Sequence, residues 1–190
     1  MSLFKNIKAA LFATGQTQPL DASFIFPYAE DKEIKRQQIW SNLQKGILFE
    51  DTRVCIPWLT SFTAIDKLAE QRKDSGDRTN WFLGKHEILD GYTCYVGLMK
   101  WIFVRNSNPI SAIEEFLGFD HEGNEKFLFL KNKLTGLLGE PSFIELEKFG
   151  ELDIGAIEWT NQKITIRLSG IEQFALKYRL KVGLTENKNS

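Results

Sequence analysis

From Lys163 to Leu168 apolar and polar residues alternate one for one: Ile164, Ile166 and Leu168 against Lys163, Thr165 and Arg167. The pattern returns from Lys177 to Leu184, with Tyr178, Leu180, Val182 and Leu184 set against Lys177, Arg179, Lys181 and Gly183. Period two sends successive side chains to opposite faces of a strand, so each segment predicts a strand with one apolar and one charged face. A third strand, Ile154 to Thr160, carries Ile157 and Trp159 on its apolar side and turns through Asn161-Gln162. Upstream the spacing changes to three and four residues. Phe127, Leu130, Leu134, Leu137 and Leu138 fall on one stripe of a helix, which Gly139 caps and Pro141 forbids to continue. One-sided strands belong to an antiparallel sheet covered on a single side, and this helix is the natural cover.

The earlier chain reads as further elements of the same kind. Ser2 to Ala13 has a short amphipathic pattern and Gly15 to Leu20 is a polar loop, so residues 1 to 20 read as an N-terminal arm, either docked or mobile. Phe24, Phe26 and Tyr28 alternate in an extended piece, and Ile39, Trp40 and Leu43 form the apolar face of a helix that begins near Glu30 and ends at Gly46. Ile47 to Trp58 reads as extended, with Pro57 at a strand end. Thr60 or Ser61 then caps a helix through about Arg72, and the charged run Arg72 to Arg78 reads as a surface loop. Asp90-Gly91 signals a two-residue type I′ hairpin turn between Trp81–Leu89 and Tyr92–Val104. The second of these strands is apolar on both faces and is therefore central. Asn106 to Pro109 closes it, and Ser111 to Leu117 predicts a short helix.

The predicted fold is thus a single α+β domain over residues 1 to 190, a mostly antiparallel sheet with helices packed on one face and a central hairpin at Asp90-Gly91. Helix, Trp-bearing strand, two-residue turn and strand occur twice, around Trp81 and around Trp159, an order that two similar halves sharing one sheet would produce. A hydrophobic share of 43% in 190 residues suffices for a full core without disulfide staples. Cys55 and Cys94 both sit in apolar runs and read as buried free thiols of a cytoplasmic protein. The apolar run Ala9 to Ala13 is shorter than a signal-peptide core of about seven to fifteen residues, and no window approaches the roughly 18 apolar residues of a membrane span.

Candidate chemistry is sparse. A two-residue turn at Asp90-Gly91 places Glu87 opposite Cys94 and His86 opposite Tyr95, so His86 and Cys94 are expected on different faces and no Cys/His pair forms. His121 lies between Asp120 and Glu122, but three consecutive residues cannot converge on one metal. No nucleophile elbow, zinc-protease helix, Walker loop or dinucleotide fingerprint is present. The expectation is a protein without catalytic residues, metal or cofactor.

Charge says more. The formal net charge of -1 provides no global field toward nucleic acid or anionic membrane, and neither is expected as a partner. Locally the signs separate. Glu140, Glu145, Glu147, Glu151, Asp153 and Glu158 form an acidic ridge, followed by Lys163, Arg167, Lys177, Arg179 and Lys181 on the polar side of the last two strands. Such a pattern serves either as solvated faces or as electrostatic recognition of a protein partner. On the second reading Glu145, Glu147, Glu151 and Asp153 are the partner-binding residues.

The run Leu137-Leu138-Gly139-Glu140-Pro141, then Glu158-Trp159, Ile164 to Leu168, Glu172-Gln173-Phe174 and Tyr178 to Leu184, resembles the C-terminal pattern of small bacterial immunity proteins. The resemblance covers about a third of the chain. It implies a cytoplasmic, non-enzymatic inhibitor that neutralises a cognate toxin of a contact-dependent or polymorphic toxin system. Against a nuclease toxin, the four acidic residues would stand in for phosphates. Two alternatives remain open from the residues themselves. One is a small-molecule or lipid-binding module lined by Trp81, Tyr95, Trp101 and Phe103; the other is an enzyme of unknown class.

Overall fold

The C-terminal strands that the sequence predicts form three of the eight strands of an antiparallel sheet. The computed structural model describes residues 23–101, 110–172 and 175–185; the arm at residues 1 to 20, the closing segment Asn106 to Pro109 and Phe103 lie outside the described residues. In chain order the elements are α1 (Lys32–Leu43), β1 (Gly46–Phe49), β2 (Val54–Pro57), α2 (Phe62–Ile65), β3 (Gln71–Ser75), β4 (Arg78–Ile88), β5 (Tyr92–Trp101), β6 (Ala112–Phe119), α3 (Asp120–Leu138), β7 (Phe143–Phe149), β8 (Leu152–Asn161), β9 (Ile164–Glu172) and β10 (Leu176–Leu184). The large sheet runs β3-β4-β5-β6-β10-β9-β8-β7, and β1-β2 is a separate hairpin. The chain is therefore two four-stranded meanders, β3 to β6 and β7 to β10, joined through their last strands. Trp81 and Trp159 each sit on the second strand of a meander, buried, with the indole N–H donated to Asp66 Oδ1 at 2.8 Å and to the Gly139 carbonyl at 3.0 Å.

One face of the sheet is covered. Helix α3 lies over β6, β10, β9 and β8, and the β1-β2 hairpin packs on β4, with α1 bridging the two. The stripe predicted for α3 is the one buried: Phe127, Leu130 and Leu134 are fully inaccessible and Leu137 and Leu138 nearly so. Each such side chain contributes roughly 1.5–3 kcal/mol relative to exposure. A polar knot fastens the helix to the strands. The Tyr178 hydroxyl lies 3.1 Å from Asn124 Oδ1 and 2.9 Å from the Asp153 carbonyl, and Asn124 Oδ1 also accepts the Asp153 N–H at 3.0 Å. Helix α1 starts at Asp31, whose carboxylate accepts the N–H groups of Glu33 and Ile34, and α2 starts at Ser61 as the capping pattern requires.

Five expectations are corrected. The helix expected over Ser111 to Leu117 is β6, which joins the two meanders; pairing with β5 and β10 overrides the local helical character of Ala112-Ile113-Glu114-Glu115. The helix after Ser61 stops at Ile65, and the charged run from Arg72 to Arg78 is not a loop but the β3-β4 hairpin, turning at Gly76-Asp77. The extended stretch Ile47 to Trp58 is folded back on itself as β1-β2. The turn after β8 is Gln162-Lys163, one residue later than expected, which leaves Ile157 and Trp159 facing the core as predicted.

Candidate functional site

The second face of the sheet has no described element over it, so its side chains are set by strand alternation alone. One row crosses the sheet in register: Glu158 on β8, Arg167 on β9, Lys181 on β10, Glu114 on β6, Gly97 on β5 and Phe82 on β4. Arg167 Nη1 donates to Glu158 Oε1 at 2.5 Å. Arg167 and Lys181, like charges directly opposite one another, are thus flanked by Glu158 and Glu114, and the row compensates itself. The neighbouring row runs Glu145, Ala156, Ser169, Arg179, Phe116, and its acid, Glu145 on β7, stands three strands away from Arg179. Arg179 is exposed and makes no ion pair with any described residue. Two hollows of about 360 and 380 Å³ flank it and share Arg179 and Glu114 as their common wall. Phe82 and Phe116 are exposed at 43% and 51% beside it.

Of the four acidic residues singled out from the sequence, two form a pair. Glu145 and Glu147 flank Leu146 on β7 and point away from the core that Leu146 touches; both are exposed. Glu151 is exposed in the β7-β8 turn. Asp153 is already engaged, by Lys148 Nζ at 3.0 Å and through its own N–H to Asn124. The ridge is therefore an edge strand with two adjacent carboxylates rather than a four-residue patch.

The aromatic set does not line one pocket. Trp81 faces the core and stacks on Phe62 with ring centroids 5.1 Å apart, whereas Tyr95 and Trp101 project from the open face, exposed at 67% and 38%. The sheet itself separates them. A larger hollow of about 590 Å³ lies elsewhere, between α1 and the β8-β9 turn, with Glu33, Arg36, Gln37 and Gln44 in its wall.

The hairpin at Asp90-Gly91 is present with a different turn. Ile88 pairs with Tyr92, leaving Leu89, Asp90 and Gly91 as a three-residue connection in which all three residues have positive φ. One extra residue shifts the register, and His86 stands opposite Cys94, contrary to the expectation that separated them. Asp51 Oδ2 lies 3.2 Å from His86 Nδ1 and the Leu83 carbonyl lies 3.0 Å from Nε2. Both ring nitrogens thus face oxygen atoms and neither is directed to the thiol. Burial pushes the Cys94 thiol far above the ordinary thiol range, and the charges of Glu115 and Asp51 push the same way. A nucleophilic cysteine needs the reverse, a depressed pKa and access. His121 is exposed in the first turn of α3, and no group of three metal-ligating side chains occurs among the described residues.

Sequence reasoning passed over Arg179 as one of several lysines and arginines on a solvated strand face. The signal was there in the alternation of β10, but its isolation depends on which strand lies beside it, and β6 was read as a helix. Phe116 was lost for the same reason. No helix among the described residues is long and apolar enough to cross a membrane. Compared with known proteins, the chain matches no family model, no curated protein and no solved structure.

Proposed function

We propose that this chain is a non-enzymatic protein-binding domain that receives its partner on the open face of the sheet, with Arg179 as the anchor. The observation that carries the reading is Arg179 itself: exposed, without an ion pair among the described residues, set between two hollows and bordered by exposed Phe82 and Phe116. Arginine and aromatic side chains are the types enriched at the energetic centres of protein interfaces, and an arginine in a concave, partly apolar setting gains most when a carboxylate closes over it. The partner accordingly presents an acidic side chain to Arg179 and apolar groups to the phenylalanines. Nucleic acid fits less well, because Glu114 and Glu158 interrupt the basic residues and leave no continuous positive track for phosphates. The strands bearing Arg167, Arg179 and Lys181 are those on which the resemblance to immunity proteins rests. Inhibition of a cognate toxin is therefore the form of partner binding to be tried first.

The test is co-purification from the native lysate with the tagged chain, its Arg179→Glu form and its Phe116→Ala form. One stoichiometric protein is expected with the native chain, reduced at least tenfold in both variants, whose unfolding midpoints stay within about 2 °C of the native value, as for surface changes. Full retention by Arg179→Glu removes the open face as the binding surface. Recovery of a bound small molecule with no protein partner removes the protein-binding reading.

A further inference from the structure

The two edges of the large sheet are built differently. β3 is short, and Arg72, Lys73 and Asp74 make up most of its five exposed residues, the brief charged edge by which proteins discourage strand pairing. β7 has seven residues, four of them apolar, with no proline, and every residue except Leu146 is exposed. Ile144 is exposed at 56%, Phe149 at 49% and Phe143 at 43%. The inner side of β7 pairs with β8 along its whole length, whereas no described strand pairs with its outer side. A row of backbone N–H and C=O groups is thereby presented beside apolar side chains, an arrangement that templates another strand.

The charges decide which strand. Glu145 and Glu147 occupy the middle of the edge and make no ion pair with a described residue, while Lys148 is already held by Asp153. In the fully overlapped antiparallel register of two copies with their sheets facing the same way, Glu145 of one copy lies against Glu147 of the other, an unfavourable like-charge pair. The same two carboxylates favour an incoming strand that carries lysine or arginine opposite them. The edge is thus guarded against itself and open to a basic segment.

We propose that β7 is a strand-addition site for an extended segment of a protein partner, with two basic residues spaced by two and flanked by apolar residues. Lysine or arginine side chains lie against Glu145 and Glu147, apolar ones against Phe143 and Phe149, and the main chain continues the sheet. Main-chain hydrogen bonds supply the affinity and the alternate side chains the selectivity. The β7 edge lies three strands from Arg179 on β10 and its test changes neither Arg179 nor Phe116, so either proposal can fail without the other.

The probe is the labelled peptide acetyl-Phe-Thr-Lys-Ile-Lys-Val-Phe-amide, titrated against the full chain by fluorescence anisotropy, with amide exchange read on β7. It is compared with a peptide bearing glutamate for both lysines, and with two forms N-methylated on one or the other alternate set of residues. The lysine peptide is expected to bind at least tenfold more tightly than the glutamate peptide and to slow exchange of β7 amides. One N-methylated form, whose blocked N–H groups face β7, loses at least tenfold while the other binds like the parent. The double variant Glu145→Lys/Glu147→Lys prefers the glutamate peptide and keeps the native unfolding midpoint. No binding of the lysine peptide at millimolar concentration, equal binding of lysine and glutamate peptides, or equal binding of both N-methylated forms overturns the proposal. A dimer of the native chain that Glu145→Lys/Glu147→Lys disperses also overturns it, by giving the edge to a second copy.

Discussion

His86 stands directly across the β4-β5 hairpin from Cys94, and Phe49 stacks on its ring at 4.0 Å between centroids. The pair looks like the start of a thiol catalytic site, but imidazole, thiol and stacking phenyl are all buried, and both imidazole nitrogens are directed at Asp51 and Leu83. Raised by burial, the Cys94 thiol carries negligible thiolate at neutral pH. Native protein is therefore expected to leave Cys94 and the equally buried Cys55 unmodified by a thiol-specific disulfide reagent. Both should react once urea unfolds the chain. A Cys94 that reacts within minutes in the folded state contradicts this account.

Glu50 closes a turn to which it does not belong. Its Oε1 accepts the Asp90 N–H at 3.0 Å and its Oε2 the Gly91 N–H at 2.7 Å, which ties the β1-β2 turn to the tip of the central hairpin. Lys35 from α1 and Lys133 from α3 also reach Asp90, at 2.9 and 2.8 Å, so the tip joins both helices to the sheet. With Glu50 buried, Glu50→Ala leaves two N–H groups without this acceptor and should cost about 2 kcal/mol, and Glu50→Gln about 1 kcal/mol, in urea unfolding with unchanged slope. A loss below about 0.5 kcal/mol for Glu50→Ala means that water replaces the carboxylate at no cost.

This tip also shows where the sequence stops being informative. Asp90-Gly91 marks a turn in any reading, and the alternation of Ile164 to Leu168 and of Tyr178 to Val182 is matched by burial because those strands meet helix on one face only. What local pattern does not contain is Glu50, whose carboxylate holds the three-residue form of the turn from 40 residues away in the chain. The same holds for β6. Ala112 to Leu117 has helical character by itself and becomes a strand because β5 and β10 lie on either side of it. Edge strand β7 escaped notice for the opposite reason, since it buries so little that no apolar face stands out. Glu145 and Glu147 were legible as an acidic pair, but not as the rim of an unpaired strand.

Glu115 gives a pH signature. Burial raises its carboxyl above the ordinary value, opposed by hydrogen bonds from the Tyr92 hydroxyl at 2.7 Å and the Tyr95 N–H at 3.1 Å. A folded-state value above the unfolded one means that the folded chain holds this proton more readily. The stabilising contribution is present below the unfolded carboxyl pKa and is lost as pH rises through the folded one. Glu115→Gln removes that dependence. Its stability relative to the native chain should be higher at about pH 7 than at about pH 4, by urea unfolding at both. The opposite slope would show that the tyrosine hydrogen bonds outweigh burial.

Gly155 links the stability of the fold to the β7 edge. It holds φ at 117°, and a Cβ placed there would meet the Glu145 carbonyl oxygen at 2.0 Å. That atom belongs to the backbone of the neighbouring strand and cannot swing aside as a side chain can. The added Cβ approaches β7 most closely rather than Gly170, the β9 partner of Gly155, so Gly155→Ala is expected to push β7 off β8 while the core strands β9 and β10 keep their pairing with each other. The cost should be about 2 kcal/mol, in the range of a strained non-glycine backbone. Gly91→Ala offers the control, because φ there is also positive, at 74°, but nothing lies within 4 Å. It should cost only about 1 kcal/mol. Amide exchange separates the two: in Gly155→Ala the β7 amides lose protection while those of β9 and β10 retain it, and the lysine peptide no longer binds. If β7 stays as protected as in the native chain, the strand has room to accept the methyl, and the close approach of Gly155 to Glu145 is not what holds the edge in place.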